Sequence, residues 1–388
     1  MATTSLLNYP LTDLNARGAA HTADEIAQQP DVWRQIAREA ASSRAATAAF
    51  LDPILARERV RVILTGAGSS AFAGQVLAPM LGPRLGRRVD AVATTDLVAT
   101  PRELLAEDVP TLLVSFARSG DSPESVAATA LADQMLTECS HLVVTCNRAG
   151  RLASELGPRT DAHVLMLPEA ANDRGFAMTS SFTGMILAAM LALAPLGDDL
   201  PVAQLAETAE AVLAERGAAA WALAERGPER LVYLGSGSLT GVARESALKA
   251  LELTAGGIVA LAESPLGFRH GPKSVLNERT MVVVYIANDP YTRRYDLDIA
   301  AELQQSVPEE NLLVVSATRE GVPDGVAVWD LPGLGSVCDA VLALAAVICA
   351  QLIAVSLSLS RGITSDNPFP SGEVNRVVQG VTVHPLAG

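Results

Sequence analysis

The sequence predicts an α/β protein with two doubly wound parallel sheets in tandem and a helical arm ahead of them. Three observations carry the prediction. β-rich apolar runs alternate with helix-like stretches along the 388 residues. Apolar residues make up 49% of the chain but aromatics only 4%, so the core is mostly Ala, Leu and Val, which suits buried parallel strands under alanine-rich helices. A strand, a Gly-x-Gly-Ser turn and a small-residue helix start occur twice, with Gly66 and Gly235 169 residues apart, about one α/β domain.

The elements follow in order. Residues 1–45 read as the arm, through ADEIAQQPDVWRQIAREAASS. A first domain over 46–200 opens on RVRVILTGAGSSAFAG and continues with strands TLLVSFA, HLVVTCN and HVLMLP, separated by helical stretches such as SPESVAATALADQML. Residues 201–227 form a helical connector. A second domain over 228–388 opens on RLVYLGSGSLTGVARE and continues with MVVVYIA, NLLVVSA and GVAVWDL. The run from Ala340 to Leu359 reaches transmembrane length, but its alanines, Gln351, Ser356 and Ser358 make it a central buried helix instead. The C-terminal NPFPSGEVNRVVQGVTVHP is punctuated by Pro and Gly, ends in a short strand VTV, and reads as a loop folding back over a site.

Bulk properties exclude several functions. A net charge of −14 argues against nucleic acid and anionic membranes, though helix N-termini can still present a local positive field to a small anion. Cys139, Cys146, Cys338 and Cys349 lie in apolar runs without CxxC spacing, as buried thiols of a reducing cytoplasm do. The five histidines show no metal-ligand pairing, and the N-terminus lacks the basic start and apolar run of a signal peptide. A cytoplasmic protein without a metal is expected.

Only two lysines occur, Lys249 and Lys273, both within ARESALKALELTAGGIVALAESPLGFRHGPKS; the other cations are arginines. Glu245, Lys249 and Glu252 stand at i, i+4 and i+7, one face of a helix that starts near Ser238 or Thr240 and stops at Gly256–Gly257. The plain alternative is a solvated Glu-Lys-Glu ladder of little energetic worth. Flanking Ala247, Leu248 and Leu251 narrow the charged stripe and suit the lining of a cleft. His270 follows in a loop marked by Gly267, Gly271 and Pro272.

Two turns suit an oxyanion. Gly66-Ala67-Gly68-Ser69-Ser70 follows one strand, and Ala117-Arg118-Ser119-Gly120-Asp121-Ser122 follows another. Small residues and helix N-termini let amides and hydroxyls close on a phosphate, and neighbouring strand ends would place both turns at the sheet's switch point. The alternatives are tight-turn packing for the first and ordinary helix capping by Asp121 and Ser122 for the second. The dinucleotide fingerprint is incomplete, and no Gly-Lys-Ser/Thr element is present.

The paired α/β units, ARSGDS, ESALKALEL and FRHGP resemble the double sugar isomerase (SIS) domain proteins, over most of residues 20–385. NDRGFAMTSSFT and NPFPSGEVNRVVQGVTV are similar to the galactosamine-6-phosphate deaminase/isomerase group, formerly tagatose-6-phosphate ketose/aldose isomerases, related to the isomerase half of glucosamine-6-phosphate synthase. The resemblance implies flavodoxin-like SIS sheets. It implies phosphate contacts from Ser69, Ser70, Arg118, Ser119 and Ser122, and substrate-loop positions at Thr179 and Gln379. Glu252 is implied as the base that moves a proton between C1 and C2, with Glu245 and Lys249 holding and polarising it. His270 is implied as the ring-opening acid/base, acting from a neighbouring subunit in a homodimer or larger homo-oligomer.

Two positions depart from the synthase. Ala117 replaces a hydroxyl, and Gln379 replaces the lysine that forms a Schiff base, a role an amide cannot take. About 45 residues before the first domain leave no room for the synthase's glutaminase half, so ammonia release is the expected direction. The expected reaction converts D-galactosamine 6-phosphate to tagatose 6-phosphate and ammonia without a cofactor. Glucosamine-6-phosphate deamination, simple aldose/ketose isomerisation and a non-catalytic sugar-phosphate sensor are the alternatives.

Overall fold

The computed structural model describes residues 5–194, 200–378 and 380–387. The chain begins with β1 (Ser5–Leu6), β2 (Tyr9–Pro10), α1 (Leu11–Ala16), α2 (Ala20–Ala27) and the long α3 (Gln29–Leu55). The first sheet and its helices follow: β3 (Arg61–Gly66), α4 (Ser69–Leu85), β4 (Arg88–Ala93), α5 (Thr94–Ala99), α6 (Pro101–Leu104), β5 (Thr111–Ala117), α7 (Pro123–Met135), β6 (Cys139–Thr145), α8 (Arg151–Leu156) and β7 (Ala162–Met166). After α9 (Ser180–Leu193) and α10 (Val202–Glu225) come β8 (Arg230–Leu234), α11 (Ser238–Leu253), β9 (Val259–Glu263), α12 (Pro265–Phe268), β10 (Thr280–Tyr285), α13 (Pro290–Gln304), β11 (Leu312–Ser316), β12 (Ala327–Asp330) and α14 (Asp339–Ser360).

Two compact units interleave along the chain. The first spans 32–172, 180–199 and 371–388; the second spans 1–31, 173–179 and 200–370. Each holds a five-stranded parallel sheet, in the orders β4-β3-β5-β6-β7 and β9-β8-β10-β11-β12. Counted from its own first strand, each order is 2-1-3-4-5, the flavodoxin-like arrangement.

In the first unit, β3 and β5 are buried along their whole length because helices cover both faces, and their residues are accordingly near-continuous Val, Ile and Leu. Ile63, Leu97, Leu113 and Leu131 form one core cluster. The edge strand β4 is only partly buried and is fastened by Arg61 Nε to Asp90 Oδ2 at 2.6 Å. Gly86, at φ 59°, ends α4 in the left-handed conformation that glycine takes without strain.

In the second unit, Val232, Val282, Val284, Ile299, Leu303 and Val314 fill the core. The run of transmembrane length is α14, and every residue from Ala340 to Leu359 is buried within the protein, packed on α10 and α11. The amide oxygen of its polar Gln351 accepts from Gln29 Nε2 at 2.7 Å, which offsets the cost of burying that oxygen. The expected C-terminal strand VTV does not form: residues 380–387 are irregular. They are held by side chains rather than by a ladder, with Gln134 Nε2 donating to Leu386 O at 3.1 Å and Arg102 donating to Ala387 O.

Candidate active site

In the first unit the chain leaves β3 for β4 on one side and returns to β5 on the other, so the switch point falls between β3 and β5. Both serine turns open there, at the C-terminal ends of adjacent strands, where doubly wound sheets bind ligands. The first turn depends on glycine twice. A Cβ on Gly66 would lie 2.6 Å from Ser70 Cβ, and Gly68 takes φ 56° and ψ −127° as N-cap of α4. Ser69 and Ser70 therefore begin the helix with their amides at its positive end, and both are nearly buried.

The second turn has a different internal logic. Asp121 does not cap α7; its Oδ1 accepts from Arg151 N, the first residue of α8, at 2.9 Å. Ser122 stands at the N-cap of α7 but makes no side-chain capping bond, so capping does not consume its hydroxyl. Asn147 Nδ2 donates to Ser119 O at 2.8 Å, and Gly120 takes φ 71°. Arg118 is 7% exposed, and its Nη2 donates to Arg376 O at 3.0 Å, which brings the C-terminal segment to this turn.

The second unit carries the acid–base group. α11 places Glu245, Lys249 and Glu252 on one face, as their spacing predicts. They are not a solvated ladder. Glu245 and Lys249 are fully buried, the Glu252 side chain is 22% exposed, and Lys249 Nζ lies 3.3 Å from Glu245 Oε1 and 2.5 Å from Glu252 Oε2. Burial alone would lower the Lys249 pKa; the charges and hydrogen bonds of the two carboxylates outweigh it and hold the ammonium above its ordinary value. His270 lies exposed on the turn after α12, its amide donating to Gly267 O at 2.9 Å. Lys273 is drawn away to Glu302 on α13, beside Arg269.

The loop 173–179 is clamped from both ends within the second unit. Thr179 N and Oγ1 each donate to Asp173 at 2.9 Å. The buried Glu25 carboxylate accepts from the amides of Arg174 and Gly175. Gly175 leaves room for that carboxylate, since a Cβ there would lie 2.9 Å from Glu25 Oε2 and make it shift. Burial, and then the charge of Asp173, raise the Glu25 carboxyl to about 8 against the lowering effect of those amides.

The SIS domain family profile matches residues 54–195. A Streptomyces coelicolor protein, provisionally named D-galactosamine-6-phosphate deaminase AgaS, is 64% identical over 95% of this chain and 96% of its own length. D-galactosamine-6-phosphate deaminase AgaS of Escherichia coli is 44% identical over 97% and 98%. The chain belongs to the AgaS family of SIS-domain proteins. A crystal structure of tagatose-6-phosphate ketose/aldose isomerase from Escherichia coli superposes with a TM-score of 0.87 at 40% identity, over 95% of this chain and 97% of that one.

Against this AgaS-family background, the expected residues sort as follows. Glu245, Lys249 and Glu252 form one ion-paired group, and Ser69, Ser70, Arg118, Ser119 and Ser122 lie on adjacent strand ends. Thr179 serves its own loop, and Gln379 lies outside the described residues. Glu25 and Asp173 escaped sequence reasoning, because nothing in ADEIAQ or NDRGF marks a carboxylate as buried. Asp133, Cys139 and His141 come within 4.8 Å of one another, but Arg159 Nη1 and Nη2 hold Asp133 at 2.6 and 3.2 Å and burial pushes the Cys139 thiol up to about 12. That donor set is an ion-pair network rather than a metal site. A cavity of about 810 Å³ along α3, β7 and α9 shares no residue with the serine turns.

Proposed function

We propose that the protein converts D-galactosamine 6-phosphate to tagatose 6-phosphate and ammonia. The carrying observation is the buried Glu245–Lys249–Glu252 group, a partly exposed carboxylate fixed by an ammonium that is itself fully buried. The AgaS relatives are named D-galactosamine-6-phosphate deaminase, which supports the deamination half of this reading.

Ser69, Ser70, Ser119 and Ser122, with Arg118, take the phosphate, and the amides at the start of α4 add a favourable field. His270 assists ring opening by moving the proton between O1 and the ring oxygen. Glu252 then removes the C2 proton of the open aldose as O1 is protonated, and returns a proton at C1 as the C2 amine gives one up, leaving an alcohol at C1 and an imine at C2. Water adds to the imine carbon, ammonia departs and the ketose remains. Lys249 orients Glu252 and balances its charge, and Glu245 holds Lys249. His270 acts in a homodimer or larger homo-oligomer, from the neighbouring subunit, in the cytoplasm. Of the alternatives, simple aldose/ketose isomerisation is favoured by the name of the structurally similar Escherichia coli isomerase.

An assay of ammonia across galactosamine, glucosamine and other hexosamine 6-phosphates, beside one of tagatose 6-phosphate interconversion, separates the readings. Ammonia release is expected fastest from galactosamine 6-phosphate. Glu252→Gln is expected to lose turnover at least about a thousandfold while still binding substrate. Near wild-type ammonia release by that variant would end the assignment.

A further inference from the structure

The duplication extends to the turns themselves. β3 pairs with β5 through Arg61 and Thr111, and β8 with β10 through Arg230 and Thr280, the same offset of 169 residues at both strands. Gly237 takes φ 55° and ψ −124°, as Gly68 takes φ 56° and ψ −127°. Leu239 N donates to Ser236 O at 2.9 Å, as Ser70 N donates to Ala67 O at 3.1 Å. The second unit therefore repeats the backbone of the oxyanion turn, at the N-terminus of the 16-residue helix α11. Where the first unit has serines after β5, the second has Asn288 and Asp289 after β10.

Across this second pair of turns lies a carboxylate from α13. Asp296 is fully buried; its Oδ1 accepts from Ser236 Oγ at 2.5 Å, and its Oδ2 accepts from Ala287 N at 2.9 Å. By strand register Ser236 corresponds to Ala67 and Ala287 to Arg118, so one carboxylate joins the counterparts of both serine turns. Burial raises its pKa to about 6, against the bonds from Ser236 and Ala287, so the anion predominates at neutral pH.

We infer that Asp296 is a built-in anion: it bridges the second unit's copies of the two turns, from Ser236 just before α11 to Ala287 after β10, and is thereby a positioning residue for α11 and its Glu245, Lys249 and Glu252. The helix N-terminus and the inward-facing hydroxyl and amide favour negative charge at that point, and the side chain supplies it. Duplication thus pairs a serine-lined set of turns in the first unit with a carboxylate-bridged set in the second, where Asp339 also accepts from Asn288 N at 2.6 Å. α11 runs from the turn at Ser236 to the acid–base group, so a tilt at Ser238 is carried along a rigid rod to Glu252. The positioning part rests on the proposed role of Glu252; the anion part does not.

The test compares wild type with Asp296→Ala and Asp296→Asn, reading thermal stability and ammonia release with and without formate, the side chain's own charged group. Asp296→Ala is expected to lower Tm by several degrees and kcat roughly ten- to a hundredfold, with KM changed much less. Formate at tens of millimolar should restore part of both in that variant and neither in wild type. Asp296→Asn keeps the volume without the charge and should show the kcat loss while still folding. Wild-type kcat and Tm in Asp296→Asn, or losses in Asp296→Ala that formate leaves untouched, would overturn the inference. If the wild type released no ammonia from any hexosamine phosphate, the functional reading would fail while the Tm response to formate still judged the anion.

Discussion

Lys249 Nζ lies 2.5 Å from Glu252 Oε2, so a fully buried ammonium steadies a carboxylate that keeps 22% of its side chain exposed. Glu245 completes the group from the buried side. Removing the shared cation would strip two carboxylates of its charge in a low-dielectric setting. Lys249→Met is therefore expected to lower stability by about 3–5 kcal/mol and to abolish turnover. Chemical denaturation and the ammonia assay check it, and a variant as stable as wild type would contradict the accounting.

The two hydroxyls of the second turn should act on binding more than on chemistry. Ser119→Ala and Ser122→Ala are each expected to raise KM roughly tenfold, the worth of one hydrogen bond to a charged group, with kcat within about threefold. Steady-state kinetics decide this, and a loss confined to kcat would move these serines out of the phosphate role.

Gly150 underlies the same turn. A Cβ there would lie 2.3 Å from Ser119 O and 3.1 Å from Gly120 Cα, backbone atoms that cannot swing away. Gly150→Ala is expected to cost about 1–3 kcal/mol and to raise KM by displacing Ser119. Thermal melts and KM measured on one preparation test both halves of this expectation.

Glu25 makes stability depend on pH. Its folded pKa of about 8 lies above the ordinary carboxyl value of 4.5, so between those values the native state keeps a proton that the unfolded chain has lost. Stability from this group should fall as pH rises from about 4.5 to 8 and level off above, at no more than about 1.4 kcal/mol per pH unit. Glu25→Gln should flatten that part of the curve. Denaturation of both proteins between pH 5 and pH 9 reads the difference, and parallel curves would rule it out.

The buried centre of each sheet was legible because burial on both faces leaves continuous apolar runs, as in VRVILT, TLLVSFA and MVVVYI. β4 and β9 escaped notice because RVDAVA and VALAE are broken by alanines and a charge, whereas the equally peripheral β7 and β12 keep clearer apolar runs in HVLM and AVW. VTV failed in the opposite way: its composition is strand-like, but a strand needs a ladder partner, and residues 381–383 are held by none. The Glu-Lys-Glu face was legible because i, i+4 and i+7 spacing survives any tertiary arrangement. Asp296 was not, because its partners Ser236 and Ala287 lie on two other elements, and a capped turn looks the same in sequence whether or not a carboxylate reaches it.

The absence of a wet side on α14 bears on how the chain is made. Because α10 and α11 precede α14 during synthesis, a growing chain displays the bare groove meant for that helix until residue 360 has left the ribosome. The second unit therefore closes late, and until it does the surfaces of α10 and α11 that α14 covers stay bare, the kind of exposed apolar surface that favours aggregation.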